Sequence, residues 1–147
     1  MNCETLPMQM TNSHPSERRV IMPQGIIGFG DIQHYILTPL VLGEGTGLFW
    51  ELQSVEEVDT SFILMSLPHL KIGTTTIAEL DLAAAIRHLG ITPPEAETYL
   101  IISIELNGRG EKTVTANIRA PFIFHPPSNR GWQVVLSDPK YPMAQVI

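Results

Sequence analysis

The sequence is short of cysteine, of basic residues and of long apolar runs, and each shortage excludes a class of protein. Its one cysteine, Cys3, cannot form an intramolecular disulfide, so no such bond staples the fold. No apolar run approaches the roughly 20 residues with which a helix crosses a bilayer. Nine basic residues against 15 acidic ones give a net charge of −6, which argues against direct binding to nucleic acid and favours a basic partner.

The motifs of common catalytic and metal sites are also missing. The five histidines show neither the His-x-His nor the His-Glu-x-x-His spacing of metal ligands. The glycine-rich residues 25–30 lack the Lys-Ser or Lys-Thr pair of a phosphate-binding loop, so we interpret these glycines as turn residues. We therefore predict a protein without enzymatic activity, metal or cofactor.

Length and composition indicate one folded domain preceded by a tail. A chain of 147 residues, 44% of them hydrophobic, is long enough to bury one core. Residues 1–17 have no apolar period and contain Pro7 and Pro15, so we predict a flexible N-terminal tail there and a domain over residues 18–147. The tail also lacks the apolar segment of a signal peptide, which together with the single cysteine favours the cytoplasm.

Apolar periodicity predicts a mainly β fold. The predicted strands span residues 18–22, 33–38, 48–54, 61–67, 98–106, 112–120, 122–125 and 131–137. One helix is predicted over residues 78–90, where three alanines and a terminal Gly90 favour it. Turn signals between the strands, among them Asn107-Gly108, are spaced as in a sandwich or a small barrel. We predict a small single-domain antiparallel β-barrel-like fold with one short helix.

Pro121 interrupts the longest alternating segment. The even positions of residues 112–125 are apolar on both sides of it, although proline cannot donate to a neighbouring strand. Proline is tolerated where a strand bends or changes sheets. We predict that residues 112–120 pair with 98–106 and that the strand curls at Pro121. Residues 122–125 would then keep the same face inward and pair with 131–136.

Three acidic residues, Glu56, Glu57 and Asp59, lie in a polar connection between two predicted strands. Two interpretations stay open for them. Carboxylates in a connection are commonly just solvated, but a cluster of them also suits the docking of a basic partner.

Several segments, taken in order, resemble the FliW family of flagellar assembly factors. The segment “PQGIIGF” at 23–29 is similar to the family's Pro-x-Gly-apolar-x-Gly-Phe start, and “LQSVEE” at 52–57 is similar to its Leu-Gln-Ser segment. The segment “TANIRAPFIFH” resembles the family's Thr-x-Asn-apolar-x-Ala-Pro pattern, and “GWQVVL” with the later “KYP” resembles its ending. The resemblance covers residues 19–142.

This resemblance implies a small, non-catalytic cytoplasmic protein of bacteria that binds two proteins. One is flagellin, and the other is CsrA, a basic RNA-binding translational repressor. When secretion removes flagellin, the freed factor would sequester CsrA, and flagellin messenger RNA would be translated. On this basis the predicted partner-binding residues are Gln53, Glu56, Glu57, Asp59, Asn117 and Arg119. Gln53 would orient the acidic loop through backbone hydrogen bonds.

A second hypothesis is a small-ligand-binding or enzymatic β-barrel unrelated to flagella. In that case Trp50, Glu105 and His125 would line the mouth of the barrel. The genomic neighbourhood would separate the two hypotheses, because flagellin or repressor genes beside this one would favour the first.

Overall fold

The structure, a computed structural model, describes residues 17–40, 49–67 and 77–147. Within these ranges the strands are β1 (Arg18–Ile21), β2 (His34–Leu40), β3 (Phe49–Ser54), β4 (Ser61–Ser66), β5 (Glu97–Leu106), β6 (Lys112–His125), β7 (Arg130–Gln133) and β8 (Gln145–Val146). Helix α1 spans Glu79–His88, and short 3-10 helices span Pro93–Glu95 and Pro126–Ser128. The predicted tail falls, except for Glu17, outside the described residues and stays a prediction.

Seven of these strands close into a barrel. Their order around it is β5, β4, β3, β2, β1, β7, β6, and β6 pairs with β5 to close the ring. Strand β8 lies outside the ring and pairs with β6. In the described part of the chain every strand pairing is antiparallel except the single bridge between β1 and β7. The predicted mainly β, barrel-like fold with one helix is confirmed.

The barrel interior is filled by side chains that alternate along each strand, as a two-residue period requires. Tyr35 and Leu37 of β2 point inward, and Leu52 opposite Leu37 on β3 does the same. The buried interior cluster consists of Val20, Met22, Ile26, Ile32, Tyr35, Leu37, Leu52, Leu64, Tyr99, Phe122 and Phe124. Burying one such side chain contributes about 1.5–3 kcal/mol, so this interior is a main source of stability.

A second apolar cluster lies on the outer face of β4, β5 and β6. Strand β5 supplies both clusters, because Tyr99 faces the interior while Leu100 and Ile102 face outward. Helix α1 covers part of the outer cluster with Leu82 and Ala85. The barrel wall is therefore apolar on both faces along this side.

Strand β6 passes from one cluster to the other at Pro121. Ile101 pairs with Asn117, and Tyr99 pairs with Phe122, so one residue of β5 faces four of β6. This surplus of three is an extended β-bulge. Because paired residues share a face, an odd surplus turns all later side chains to the opposite face.

The prediction that residues 122–125 keep the same face inward is therefore wrong. Ala116 and Ile118 pack in the outer cluster, whereas Phe122 and Phe124 pack inside the barrel. The even positions are apolar on both sides of the bend only because both faces of the sheet are buried there. The predicted pairings hold in outline, since residues 112–117 pair with β5 and residues 122–125 pair with β7.

The predicted turn signal at Asn107-Gly108 lies in the hairpin loop that joins β5 and β6. This loop spans residues 107–111, and Gly110, with φ of 79°, has the left-handed conformation. The Asn107 side chain accepts hydrogen bonds from the backbone N–H groups of Arg109 and Glu111. Asn107 thus shapes the loop through its side chain, as asparagine does in turns of this kind.

Candidate partner-binding surface

The acidic loop, residues 55–60 between β3 and β4, is held in shape by one amide side chain. Nε2 of Gln53 donates to the carbonyl oxygens of Ser54, Val58 and Thr60 over 3.1, 3.0 and 3.1 Å. The hydroxyl of Ser54, which is buried, accepts a hydrogen bond from the backbone N–H of Glu57. The structure therefore confirms the prediction that Gln53 orients this loop.

Glu56 is turned back onto the protein. Its Oε1 accepts hydrogen bonds from the backbone N–H groups of His34 and Gln33 over 2.9 and 3.0 Å. The hydrogen bond from His34 and then that from Gln33 lower the pKa of Glu56 below its ordinary value. Glu56 thus joins the acidic loop to the start of β2.

Glu57 and Asp59 differ from Glu56 in that they face solvent. Both are exposed, and neither carboxylate makes a hydrogen bond or ion pair with the residues that the structure describes. Val58 between them is 82% exposed. The loop therefore presents two carboxylates and an apolar side chain on a rigid support, an arrangement suited to docking a basic protein.

Asn117 and Arg119 lie at the bulge of β6. Oδ1 of Asn117 accepts a hydrogen bond from the backbone N–H of Ala120. Nε of Arg119 donates to the carbonyl of Tyr141 and Nη2 to that of Pro139, each over 2.8 Å. Both side chains thus satisfy main-chain groups that the bulge and the C-terminal segment, residues 134–144, would otherwise leave unpaired.

The C-terminal segment is fastened at two further points. The carbonyl of Pro142 accepts hydrogen bonds from the backbone N–H groups of Ile118 and Arg119. The Tyr141 hydroxyl donates to Asp81 and accepts from the backbone N–H of Ala78, so it links the start of α1 to the C-terminal segment. The bulge, the C-terminal segment and α1 therefore form one connected structural unit.

A groove of ≈ 450 Å³ lies where β4 begins and where the β5–β6 hairpin projects from the barrel. Asn117 and Arg119 are part of its wall. Its exposed apolar lining comprises Ile27, Ile104, Val135 and Met143. These four residues could not be recognised as a surface from the sequence, because they lie in loops or on an exposed extension of β5, where no pattern of alternating burial identifies them.

The segment between β1 and β2 connects the groove to the acidic loop. Its Gly25 has φ of 69°, and a Cβ there would lie 2.6 Å from the carbonyl oxygen of Phe29, so only glycine fits. The backbone N–H of Ile27 donates to Oε1 of Gln133, and the ring of Phe29 packs edge-on against Phe62. The groove and the acidic loop therefore lie on either side of one short segment.

Arg18 and Glu97 form an ion pair at a part of the barrel separate from the groove and the acidic loop. The guanidinium makes two hydrogen bonds of 2.9 and 3.0 Å to the Glu97 carboxylate and packs over the rings of Trp50 and Phe124. Burial would raise the pKa of Glu97, but hydrogen bonds from Arg18 and Tyr99 outweigh it and lower that pKa. This cluster lies where β1 begins.

The residues of the second hypothesis do not come together. Trp50 packs on Arg18, and His125 pairs with Glu95, close to the start of β5. Glu105 lies near the other end of β5, roughly 26 Å away at the rise of a β-strand. The described residues contain no group of three or more acidic, histidine or cysteine side chains placed to hold a metal ion. Helices long and apolar enough to cross a membrane are also absent from this part of the chain.

Comparison with known proteins identifies the family. The model of the FliW protein family matches residues 7–147. The flagellar assembly factor FliW of Natranaerobius thermophilus is 28% identical over 142 residues, which cover 91% of this chain and 88% of that protein. The flagellar assembly factor FliW of Syntrophotalea carbinolica is 30% identical over 126 residues, which cover 85% and 83%.

A solved structure supports the same assignment at the level of the fold. The crystal structure of a flagellar assembly factor FliW matches with a TM-score of 0.62 and 23% identity, and the match covers 92% of this chain and 88% of that one. The barrel described above is therefore the fold of that protein. Together with the family model and the relatives, this shows that the chain belongs to the FliW family of flagellar assembly factors.

Proposed function

We propose that this flagellar assembly factor works by binding two proteins in turn, flagellin and the translational repressor CsrA, in the cytoplasm and without catalysis. Bound to flagellin, it leaves CsrA free to repress flagellin translation. When flagellin is exported, the factor sequesters CsrA and translation resumes.

The observation that carries this proposal is the acidic loop of a chain in this family. CsrA is basic, and the loop offers Glu57 and Asp59 as exposed carboxylates on a support fixed by Gln53. A rigid surface loses little conformational entropy on binding, and its charge raises the rate at which a basic protein associates. The net charge of −6 acts in the same direction.

The predicted residues divide into two roles under this proposal. Glu57 and Asp59 contact the basic partner, while Gln53 and Glu56 hold the loop in position. Asn117 and Arg119 shape the groove wall on which a partner packs, since their hydrogen-bonding groups already serve the bulge.

Titration calorimetry with purified CsrA and purified flagellin from the same bacterium tests the proposal. We expect a saturable complex with each protein, and we expect flagellin to displace CsrA from a preformed complex. A protein that binds neither partner, or that binds both at once without displacement, would contradict the proposed exchange.

A further inference from the structure

The groove beside the acidic loop exposes more apolar surface than a solvated face needs. Ile27, Ile104, Val135 and Met143 line it and are 58, 59, 58 and 63% exposed. Phe62, which also lines it, is covered on one side by the half-exposed ring of Phe29. Clustered apolar side chains of this kind on a soluble domain mark a contact surface.

The surroundings of the groove are acidic. Glu105 follows Ile104 in β5, and Glu51 of β3 lies directly opposite Ile63, which lines the groove. The acidic loop ends immediately before β4, whose first residue, Ser61, is also part of the wall.

Arg119 is the single charged residue in the described lining of the groove. Its guanidinium donates to two main-chain carbonyls, so it is held against the C-terminal segment. The carboxylates beside the groove, those of Glu51, Glu105 and the acidic loop, outnumber this one cation, so the net negative charge around the groove complements a positively charged occupant.

We infer that this groove is the anchoring site for a segment of the basic partner that carries large apolar side chains next to lysine or arginine. The inference rests on the proposed function, and it identifies the groove as the place where most of the binding free energy arises. Apolar side chains enter the groove, while the flanking cations meet Glu57, Asp59 and Glu105.

In this arrangement the acidic loop and the groove affect different rate constants of binding. Exposed charges on the acidic loop mainly raise the association rate, and that effect weakens as salt screens them. Apolar anchors in a groove mainly slow dissociation, because they must leave a water-excluded contact before the partner departs.

The test is a variant that makes the groove polar without adding charge. It combines Ile104→Thr, Val135→Thr and Met143→Gln, all at exposed positions, so that folding is retained and can be verified by a thermal melt. The matched control is Leu80→Gln, which removes an apolar side chain that is 83% exposed on α1 and outside the groove. Binding of purified CsrA is followed by stopped-flow fluorescence and by calorimetry.

We expect the groove variant to bind CsrA about tenfold more weakly or worse, with faster dissociation and an association rate within about twofold of the wild type. Leu80→Gln should bind as the wild type does. Unchanged dissociation of the groove variant would overturn the inference while the proposed function stands. A loss of flagellin binding alone, or a wild-type dimer that the groove variant converts to a monomer in sedimentation, would assign the groove to a different occupant and also overturn it. If the wild-type protein forms no complex with CsrA, the proposed function itself fails, and the inference fails with it.

Discussion

The acidic loop and the bulge of β6 both contain polar side chains but use them differently. At the bulge, the side chains of Asn117 and Arg119 form hydrogen bonds with the protein's own backbone. On the loop, Glu57 and Asp59 extend into solvent, and Gln53 and Glu56 do the internal bonding. Polar residues of one candidate surface can therefore have different roles, since some stabilise the fold and others are free to contact a partner. Substitutions at the bulge should lower stability, and substitutions at Glu57 and Asp59 should lower binding.

The largest effect on stability is expected just past the bulge. Phe122→Ala should cost about 3–5 kcal/mol, because the ring is fully buried inside the barrel. Its edge approaches Gly131 so closely that a Cβ there would lie 2.6 Å from the ring. Pro121→Ala should cost less, about 1–2 kcal/mol, since it removes fewer buried carbons. Urea melts of both variants decide the order, and a larger loss for Pro121→Ala would contradict the placement of Phe122 in the interior.

Arg119→Ala should have the next largest effect. It removes two charge-assisted hydrogen bonds to the C-terminal segment, and we expect a loss of about 2 kcal/mol. The matched control is Arg109→Ala in the exposed hairpin loop, for which a change below about 0.5 kcal/mol is expected. Both are measured by denaturant unfolding. Equal losses of unfolding free energy would mean that the hydrogen bonds of Arg119 to the carbonyls do not stabilise the fold. The polar side chains of the bulge would then be as dispensable for stability as those of the acidic loop.

Glu56 provides a smaller effect that depends on pH. Its pKa is lowered in the folded protein, so its contribution to stability is complete above about pH 4.5 and disappears as pH falls through the folded pKa. Glu56→Gln should therefore flatten the fall in unfolding free energy below about pH 4.5. Glu57→Gln is the control, because its carboxylate bonds to none of the described residues. The same pH profile for Glu56→Gln and the wild type would contradict the role given to Glu56.

The smallest effect on stability is expected from Glu57→Lys combined with Asp59→Lys. Both side chains are exposed, so the unfolding free energy should change by less than about 0.5 kcal/mol. Glu56→Lys should be more harmful, because it deprives two backbone N–H groups of their acceptor. Thermal melts at neutral pH make the comparison. A double variant that melts earlier than Glu56→Lys would show that the outer carboxylates stabilise the fold.

The sequence was sufficient for the barrel and most strand positions. Apolar patterning predicted β3, β4 and β5 to within about a residue, because each strand buries at least one face. The helix was also correctly predicted, since its alanines and the following Gly90, with φ of 83°, are local signals.

Two features could not be predicted because they depend on long-range pairing. The three extra residues of β6 at Pro121 could not be predicted, because the pattern of apolar residues indicates which side chains are buried but not on which face of the sheet. Similarly, nothing in the local sequence shows that Arg119 meets carbonyl groups about 20 residues later, or that Val135 and Met143 share a groove with Ile27.

The exposed carboxylates of the acidic loop are proposed to attract a basic partner. Stopped-flow association of CsrA with the double variant Glu57→Lys, Asp59→Lys tests this attraction, with the wild type measured at the same low and high salt. We expect the double variant to associate about tenfold more slowly than the wild type at low salt, and the two rates to converge at high salt as the charges are screened. Equal association rates at low salt would contradict it and leave the acidic loop as a merely solvated connection.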